Sequence, residues 1–432
     1  MSEAYKVKPD RDFLHGILDS GGEDLKQCYQ CATCSVACDL SSVRKPFPRK
    51  EMIWAQWGLK DRLVADPDVW LCHQCNDCST RCPRGARPGD VLAAVRQRAV
   101  EHYSVPGILG SLVNNTKLIP LMLLAVPVVI LGLALLLRWP IQNAIHFHDH
   151  PGFYADFVPH WMLIGVFSTL TIITFLAGCL GVFRFWQGMA VADKASGEEV
   201  PSLGVIPSAI KTMISIATHD KFGKCTDQAG RKMAHLTAFY GFVALFIVTV
   251  WAVIDIYLLP MLGGSSLYPF GLIHPMKILA NIGCVALIYG CVKAIMDRKA
   301  KTDGTAKSTP FDMIFVWLLL AVAVSGLVTE VLRFAVDPKV YGADVVERTA
   351  AQYFAFAVYF VHLVLVFDLL VFLPYSKFAH ILYRTAALVY AEHTGRNQLA
   401  EGAAKTADCG CGCEAKSEET KPEETSEEAV EE

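Results

Sequence analysis

The sequence carries almost no net charge. Its 39 Lys and Arg stand against 42 Asp and Glu, a formal −3 over 432 residues. Without a basic excess, no nucleic-acid partner is expected. The opening MSEAYKVKPDRDF has neither an apolar core nor a cleavage site, so no secretion signal is expected there. Charge is also scarce over long stretches. Apolar runs near twenty residues recur after residue 117, and the mean hydropathy is +0.36. A fully water-soluble chain is thereby excluded. The length allows two or three domains, one of them embedded in a bilayer.

Cysteine is plentiful. Eight of the 15 cysteines lie in two tight runs before the first apolar stretch. Without an export signal, this pattern favours metal over disulfides. The first run is Cys28-x2-Cys31-x2-Cys34-x3-Cys38. The second is Cys72-x2-Cys75-x2-Cys78-x3-Cys82, followed by Pro83. This is the spacing of two-cluster ferredoxins, with Asp39 in place of the first proline. Three closely spaced thiolates can wrap three corners of one cubane. The fourth lies too far along to close it and reaches across to the other. Cys28, Cys31, Cys34 and Cys82 are therefore expected to hold one 4Fe–4S cluster, and Cys72, Cys75, Cys78 and Cys38 the second. A pair of four-cysteine zinc sites is the alternative, but the third and fourth cysteines of each run have no role in a zinc knuckle.

The surrounding sequence reads as helical. A short helix is expected over 11–18, ended by Gly21 and Gly22. Met52, Ile53, Trp57 and Leu59 recur at helical spacing in a long insert between the runs, and Asp66-Pro67 marks a turn. Gly89-Asp90 opens another helix. Residues 1–104 thus read as a cytoplasmic α-helical ferredoxin domain, with 105–117 as a linker.

The membrane domain is expected over 118–390, with six spans near 118–137, 161–183, 235–258, 273–295, 311–332 and 353–372. Basic residues crowd the loops after spans two, four and six, which places both termini in the cytoplasm of a multi-pass inner-membrane protein. The apolar run 353–383 carries His362 and His380. Read as one helix, it sets them five turns apart on one stripe, with a rise of roughly 27 Å. A matched imidazole pair at that separation suits axial ligation of two haems. The expected pairs are His235 with His380, and His274 with His362; His160 rivals His274. Arg231, Lys232 and Lys277 are candidates to neutralise haem propionates, or are charge anchors. Asp255 and Glu330 are the candidate catalytic carboxylates, taking protons from a quinol, or are span-end residues dipping into the headgroups. Asp368 is a third intramembrane acid. Cys179, Cys284 and Cys291 read as small buried hydrophobes, and Cys225 as structural. Residues 391–432 read as an acidic disordered tail, in which Cys409, Cys411 and Cys413 lack a second ligand cluster nearby.

These residues resemble a known family. The first third is similar to the C subunit of heterodisulfide reductases. The membrane part resembles the cytochrome b subunits of heterodisulfide reductase and respiratory nitrate reductase, where the last helix carries two haem histidines eighteen residues apart. One departure is Leu245, ten residues after His235, where the nitrate-reductase relative has its second histidine. The fusion of both parts resembles the C subunit of quinone-interacting membrane-bound oxidoreductases. The resemblance implies an all-α fold: an α-helical ferredoxin domain with two 4Fe–4S clusters, then a six-helix transmembrane dihaem cytochrome b bundle. It implies electron transfer from menaquinol, through two haem b and two clusters, to flavin and iron–sulfur partner subunits and on to adenylylsulfate reductase. A membrane subunit of the heterodisulfide-reductase type is the second redox reading, although the distinctive catalytic cysteine motifs of that enzyme are missing. A non-redox membrane anchor is the reading from another class.

Overall fold

The computed structural model describes residues 8–42, 45–115, 118–144, 153–196, 203–219, 229–268, 270–300, 307–337 and 349–396. His146, His148, His150, Cys225, the three tail cysteines and the side chain of Arg231 lie outside the described residues. Every regular element among those described is helical.

The iron–sulfur domain opens with α1, Arg11–Ile17, where the Asp10 carboxylate accepts from Phe13 N at 2.8 Å. Gly21, at φ 99°, ends that segment. The cysteine loops carry short helices, α2 (Thr33–Val36) and α6 (Asp77–Thr80). The insert folds as three short helices: α3 (Arg49–Gln56), α4 (Lys60–Val64) and α5 (Asp68–Leu71). It breaks at Gly58, whose φ is 64° and where a Cβ would lie 2.7 Å from Asp10 O, and again at Pro67. α7, Pro88–Tyr103, starts on a proline at its first turn, where no N–H is needed. The stretch expected as a linker contains a helix, α8, Gly107–Asn114. Gln97 Nε2 donates to Asn114 Oδ1 at 2.8 Å and ties it to α7.

The membrane part runs through α9 (Ile119–Ala144), α10 (His160–Ala195), α11 (Val205–Thr218) and α12 (Ala229–Val253). α12 continues through a π turn, Ile254–Leu258, into α13, Leu259–Met261. Then come α14 (Pro275–Lys299), α15 (Pro310–Val336), α16 (Ala350–Phe372) and α17 (His380–His393). Among the described residues, five helices are long and apolar enough to cross a membrane: α10, α12 with its extension, α14, α15 and α16. The first expected span falls in α9, whose apolar stretch Leu121–Leu137 is shorter. α12 and α14 approach backbone to backbone. A Cβ at Gly241 would lie 2.6 Å from Gly283 O, and one at Gly290 would lie 2.6 Å from Ala238 N.

The run 353–383 is not one helix. α16 ends at Phe372, and Pro374 has no N–H with which to continue the ladder. Ser376 Oγ accepts from Phe378 N at 3.2 Å and starts the short turn leading into α17. His362 and His380 therefore sit on separate helices, and the single-stripe geometry does not hold.

α17 turns into the iron–sulfur domain. One continuous core joins Ile17, Met52, Leu63, Trp70, Val91 and Val95 to Phe185 and Met189 of α10 and to Tyr383, Ala387 and Tyr390 of α17. Trp70 stacks on Tyr383 at 5.5 Å between ring centroids, with Phe185 edge-on at 6.0 Å. Each such aromatic contributes at most about 4–6 kcal/mol through the area it buries. α10 can reach this core because its 36 residues span about 54 Å, well beyond the ~30 Å hydrocarbon layer. Beyond α17, Arg396 is 6 % exposed and bonds Asp68 at 3.0 Å and Asp193 at 2.8 Å. Residues 391–396 thus belong to the folded body, not to a disordered tail.

Candidate functional site

The two cysteine runs fold alike. In the first, Gln30 and Ala32 adopt left-handed φ values of 62° and 71°; in the second, Gln74 and Asn76 adopt 52° and 70°. Left-handed residues at matching places curl each loop so that its sulfurs and backbone N–H groups converge. Gln30 N donates to Cys28 Sγ at 3.4 Å, and Gln74 N donates to Cys72 Sγ at 3.3 Å.

The fourth cysteines cross over. Cys28 lies close enough to Cys82 and Cys31 for their charges to interact, and Cys34 to Cys28 and Cys31. Cys38 faces Cys72 and Cys75, and Cys78 faces Cys72, Cys75 and Cys38. Burial pushes the Cys34 thiol up to about 11 and Cys38 up to about 12, with the neighbouring sulfurs adding to the effect. Cys31 is exposed and is lowered by the Thr33 hydroxyl, 3.3 Å away. Mutually repelling buried thiols of this kind ionise when a cation binds them, so the residues fit a metal cluster.

The second loop is braced from both halves of the molecule. Arg96 donates to the carbonyls of Val69 at 3.0 Å and Cys72 at 3.1 Å, and Arg384 of α17 donates to Cys72 O at 3.3 Å. Asn76, 1 % exposed, packs on Gly89 so tightly that a Cβ there would sit 2.1 Å from its Oδ1.

The histidines divide into two kinds. His380 Nδ1 lies 2.6 Å from Lys377 O, and His362 Nδ1 lies 2.9 Å from Ser325 Oγ. The His362 ring rests on Gly326, where a Cβ would approach its Cε1 to 3.1 Å. In both, Nδ1 is engaged and Nε2 has no hydrogen-bond partner among the described residues. This is the arrangement of an imidazole presented as an axial ligand. His235 is brought within electrostatic reach of His380. Its Nδ1 lies 3.3 Å from Nε2 of His219, which is 7 % exposed. His274 is engaged differently. Its Nδ1 accepts from Met276 N at 3.3 Å as the cap of α14, which puts the ring proton on Nε2. Its ring also stacks on Phe270 at 4.4 Å. His160 opens α10 edge-on to Tyr268 at 5.8 Å.

The expected catalytic carboxylates have other partners. Asp255, 1 % exposed, accepts from Ser266 Oγ at 2.7 Å and from the N–H groups of Leu267 and Tyr268, both at 3.1 Å. It anchors a loop: all three of these donors reach its Oδ2, and Oδ1 has only a longer contact from Leu267 N at 3.3 Å. Glu330 of α15 pairs with Lys277 of α14 at 2.8 Å. Asp368 is 1 % exposed and its Oδ1 has no hydrogen-bond partner among the described residues.

His219, Ser325 and Arg396 escaped the sequence reading. No spacing motif marks them; each gains its role from a residue far away in the chain.

Two ferredoxin-like cysteine loops, docked on a bundle of membrane-length helices, define an iron–sulfur redox subunit. Residues 24–86 match the 4Fe-4S dicluster domain. Residues 113–402 match the family of citrate utilization protein B, and with well over half its length inside that match, the chain belongs to this family. It is 26 % identical to citrate utilization protein B of Escherichia coli over 339 residues, 74 % of this chain and 80 % of that one. Over 93 residues it is 38 % identical to the C subunit of the H(2):CoB-CoM heterodisulfide,ferredoxin reductase of Methanothermobacter marburgensis, 21 % of this chain and 50 % of that one. Over 106 residues it is also 38 % identical to a protein of Archaeoglobus profundus that is itself like the C subunit of heterodisulfide reductase, 24 % of this chain and 56 % of that one. The chain thus spans about half the length of these heterodisulfide reductase relatives. No solved structure matches it.

Proposed function

We propose that the chain passes electrons between a membrane quinone pool and flavin and iron–sulfur partner subunits on the iron–sulfur side. The observation that carries this reading is the junction of the two halves. The Cys72 loop is held by Arg384, four residues after His380, and His380 offers Nε2 beside His235. The eight cysteines would hold two 4Fe–4S clusters. His380 with His235, and His362 with a partner other than His274, would hold two haem b. When bound, these groups supply one-electron carriers, whereas a quinol releases two electrons.

The resemblance of the sequence favours menaquinol as donor and adenylylsulfate reductase as the final acceptor. The family match favours a second reading, in which the electron transfer serves citrate utilization, as the name of the Escherichia coli relative suggests.

Visible and EPR redox titration of the purified chain tests the reading. Iron outside haem and acid-labile sulfide should each approach about eight per chain. Ser325→Ala, which leaves His362 Nδ1 without its hydroxyl, should weaken haem binding by about 10–100-fold. Zinc in place of iron, or no chromophore that quinol can reduce, would sink the proposal.

A further inference from the structure

Two cavities meet at the end of the bundle that faces the iron–sulfur domain. The first is an apolar slot between α9, α15 and α16, lined by Met122, Leu123, Ile314, Leu318 and Leu369. The second is a polar chamber bounded by Gln74 of the second cysteine loop, Gln97 of α7, Thr309 before α15, and Lys377 and His380. Phe311 and Ser376 line both, so the slot adjoins the chamber. The composite is amphipathic along its length. One end is a hydrocarbon groove between the first turns of α9 and α15 and the last turn of α16, and the other is ringed by hydroxyl, amide and ammonium donors.

Every cation of the chamber is already engaged. Lys377 pairs with Asp312. Lys307 pairs with Glu23 and Asp24, at 2.5 and 2.6 Å, and Asp90 with Arg87 at 2.6 Å. The Arg96 guanidinium is spread over the carbonyls of Val69 and Cys72 and the amide of Gln74. A phosphate or carboxylate head would have to displace a carboxylate from Lys377, Lys307 or Arg87, or the backbone and amide oxygens that hold Arg96. A neutral head bearing carbonyl or hydroxyl oxygens needs only hydrogen-bond partners, and the Ser376, Thr309 and Gln97 side chains supply them.

We infer that this composite cavity binds an isoprenoid quinone, with its ring in the chamber and its polyprenyl tail in the slot. The ring then lies between His380 and Gln74, two residues after Cys72. It is on the iron–sulfur side of the bundle, not beside Asp255 and Glu330. The inference rests on the proposed quinone-linked function and assigns its site.

The test uses the full chain in phospholipid nanodiscs and a photoreactive azidoquinone with an isoprenoid tail. Label should appear in 307–318 or 369–380, and excess naphthoquinone should displace it while excess phospholipid does not. Leu318→Trp, which fills the slot, should lower labelling by about tenfold or more. Ile282→Trp, on the lipid-facing side of α14 at 64 % exposure, should leave it unchanged. If Leu318→Trp fails to fold, Ile314→Phe serves in its place. Label confined to the Asp255 and Glu330 end, labelling indifferent to the slot variants, or displacement by phospholipid alone would overturn the site. Quinol that reduces no chromophore in the parent chain would overturn the quinone-linked function itself, whereas label elsewhere overturns only this placement.

Discussion

At the scale of single residues, the buried charges are the most demanding feature. Among the described residues, Glu51, Asp66, Asp68 and Asp193 face three cations, Lys45, Lys50 and Arg396, so one carboxylate is in excess. Lys50 Nζ lies 3.2 Å from Glu51, 2.9 Å from Asp66 and 2.7 Å from Asp68, and fills the place a metal ion would take among them. Glu51 is fully buried, and neither of its oxygens accepts a hydrogen bond from a described residue. Burial raises its carboxyl well above the ordinary 4.5, with Asp66 and Asp68 adding to the effect against Lys50. Its proton is thus held more tightly in the folded chain than in the unfolded one. That contribution is complete below the ordinary value and is lost as pH rises above it. Glu51→Gln removes the titration. Its stability should hold level as pH is raised from about 5 to 8, and at the upper end it should exceed the parent by about 1–2 kcal/mol. Thermal unfolding of parent and variant across that range checks this; parallel curves would count against it.

At the scale of elements, local breaks place the chemistry. Pro374 and Ser376 end the last membrane helix and begin α17, which carries His380 toward the cysteine loops. The four left-handed residues curl the loops, and α7 supports the second one through Gly89. A methyl at Gly89 would lie 2.1 Å from Asn76 Oδ1, and Asn76 is too buried to swing aside. Gly89→Ala should therefore displace the second loop and spare the first. Acid-labile sulfide should fall by about half, from roughly eight per chain. Full sulfide content in a folded variant would show that the loop tolerates the shift.

At the scale of the whole molecule, the two halves share one core and one ionic clasp. Arg396 touches Asp68 of the iron–sulfur domain and Asp193 of α10. Arg396→Ala leaves Asp68, 1 % exposed, with Lys50 as its only cation among the described residues. Removing one partner of a buried pair costs about 3–5 kcal/mol. The variant should unfold at lower temperature and be cut sooner by protease around the iron–sulfur domain. An unchanged cleavage pattern would mean that the hydrophobic junction of Trp70, Phe185 and Tyr383 is sufficient by itself.

What could be read from the sequence was what depends on neighbours along the chain. Cysteine spacing foretold two matched loops, and apolar length foretold five of the six expected membrane helices, with bounds within a few residues for α14, α15 and α16. The tertiary structure alone decided what depends on distant partners. It broke the apolar run at Pro374, because a missing N–H outweighs continuous hydrophobicity. It made Asp255 a loop anchor and His274 a helix cap, because their lone pairs met backbone N–H groups that no pattern announces. It also buried Arg396, because only folding brings Asp68 and Asp193 together, 125 residues apart in the chain.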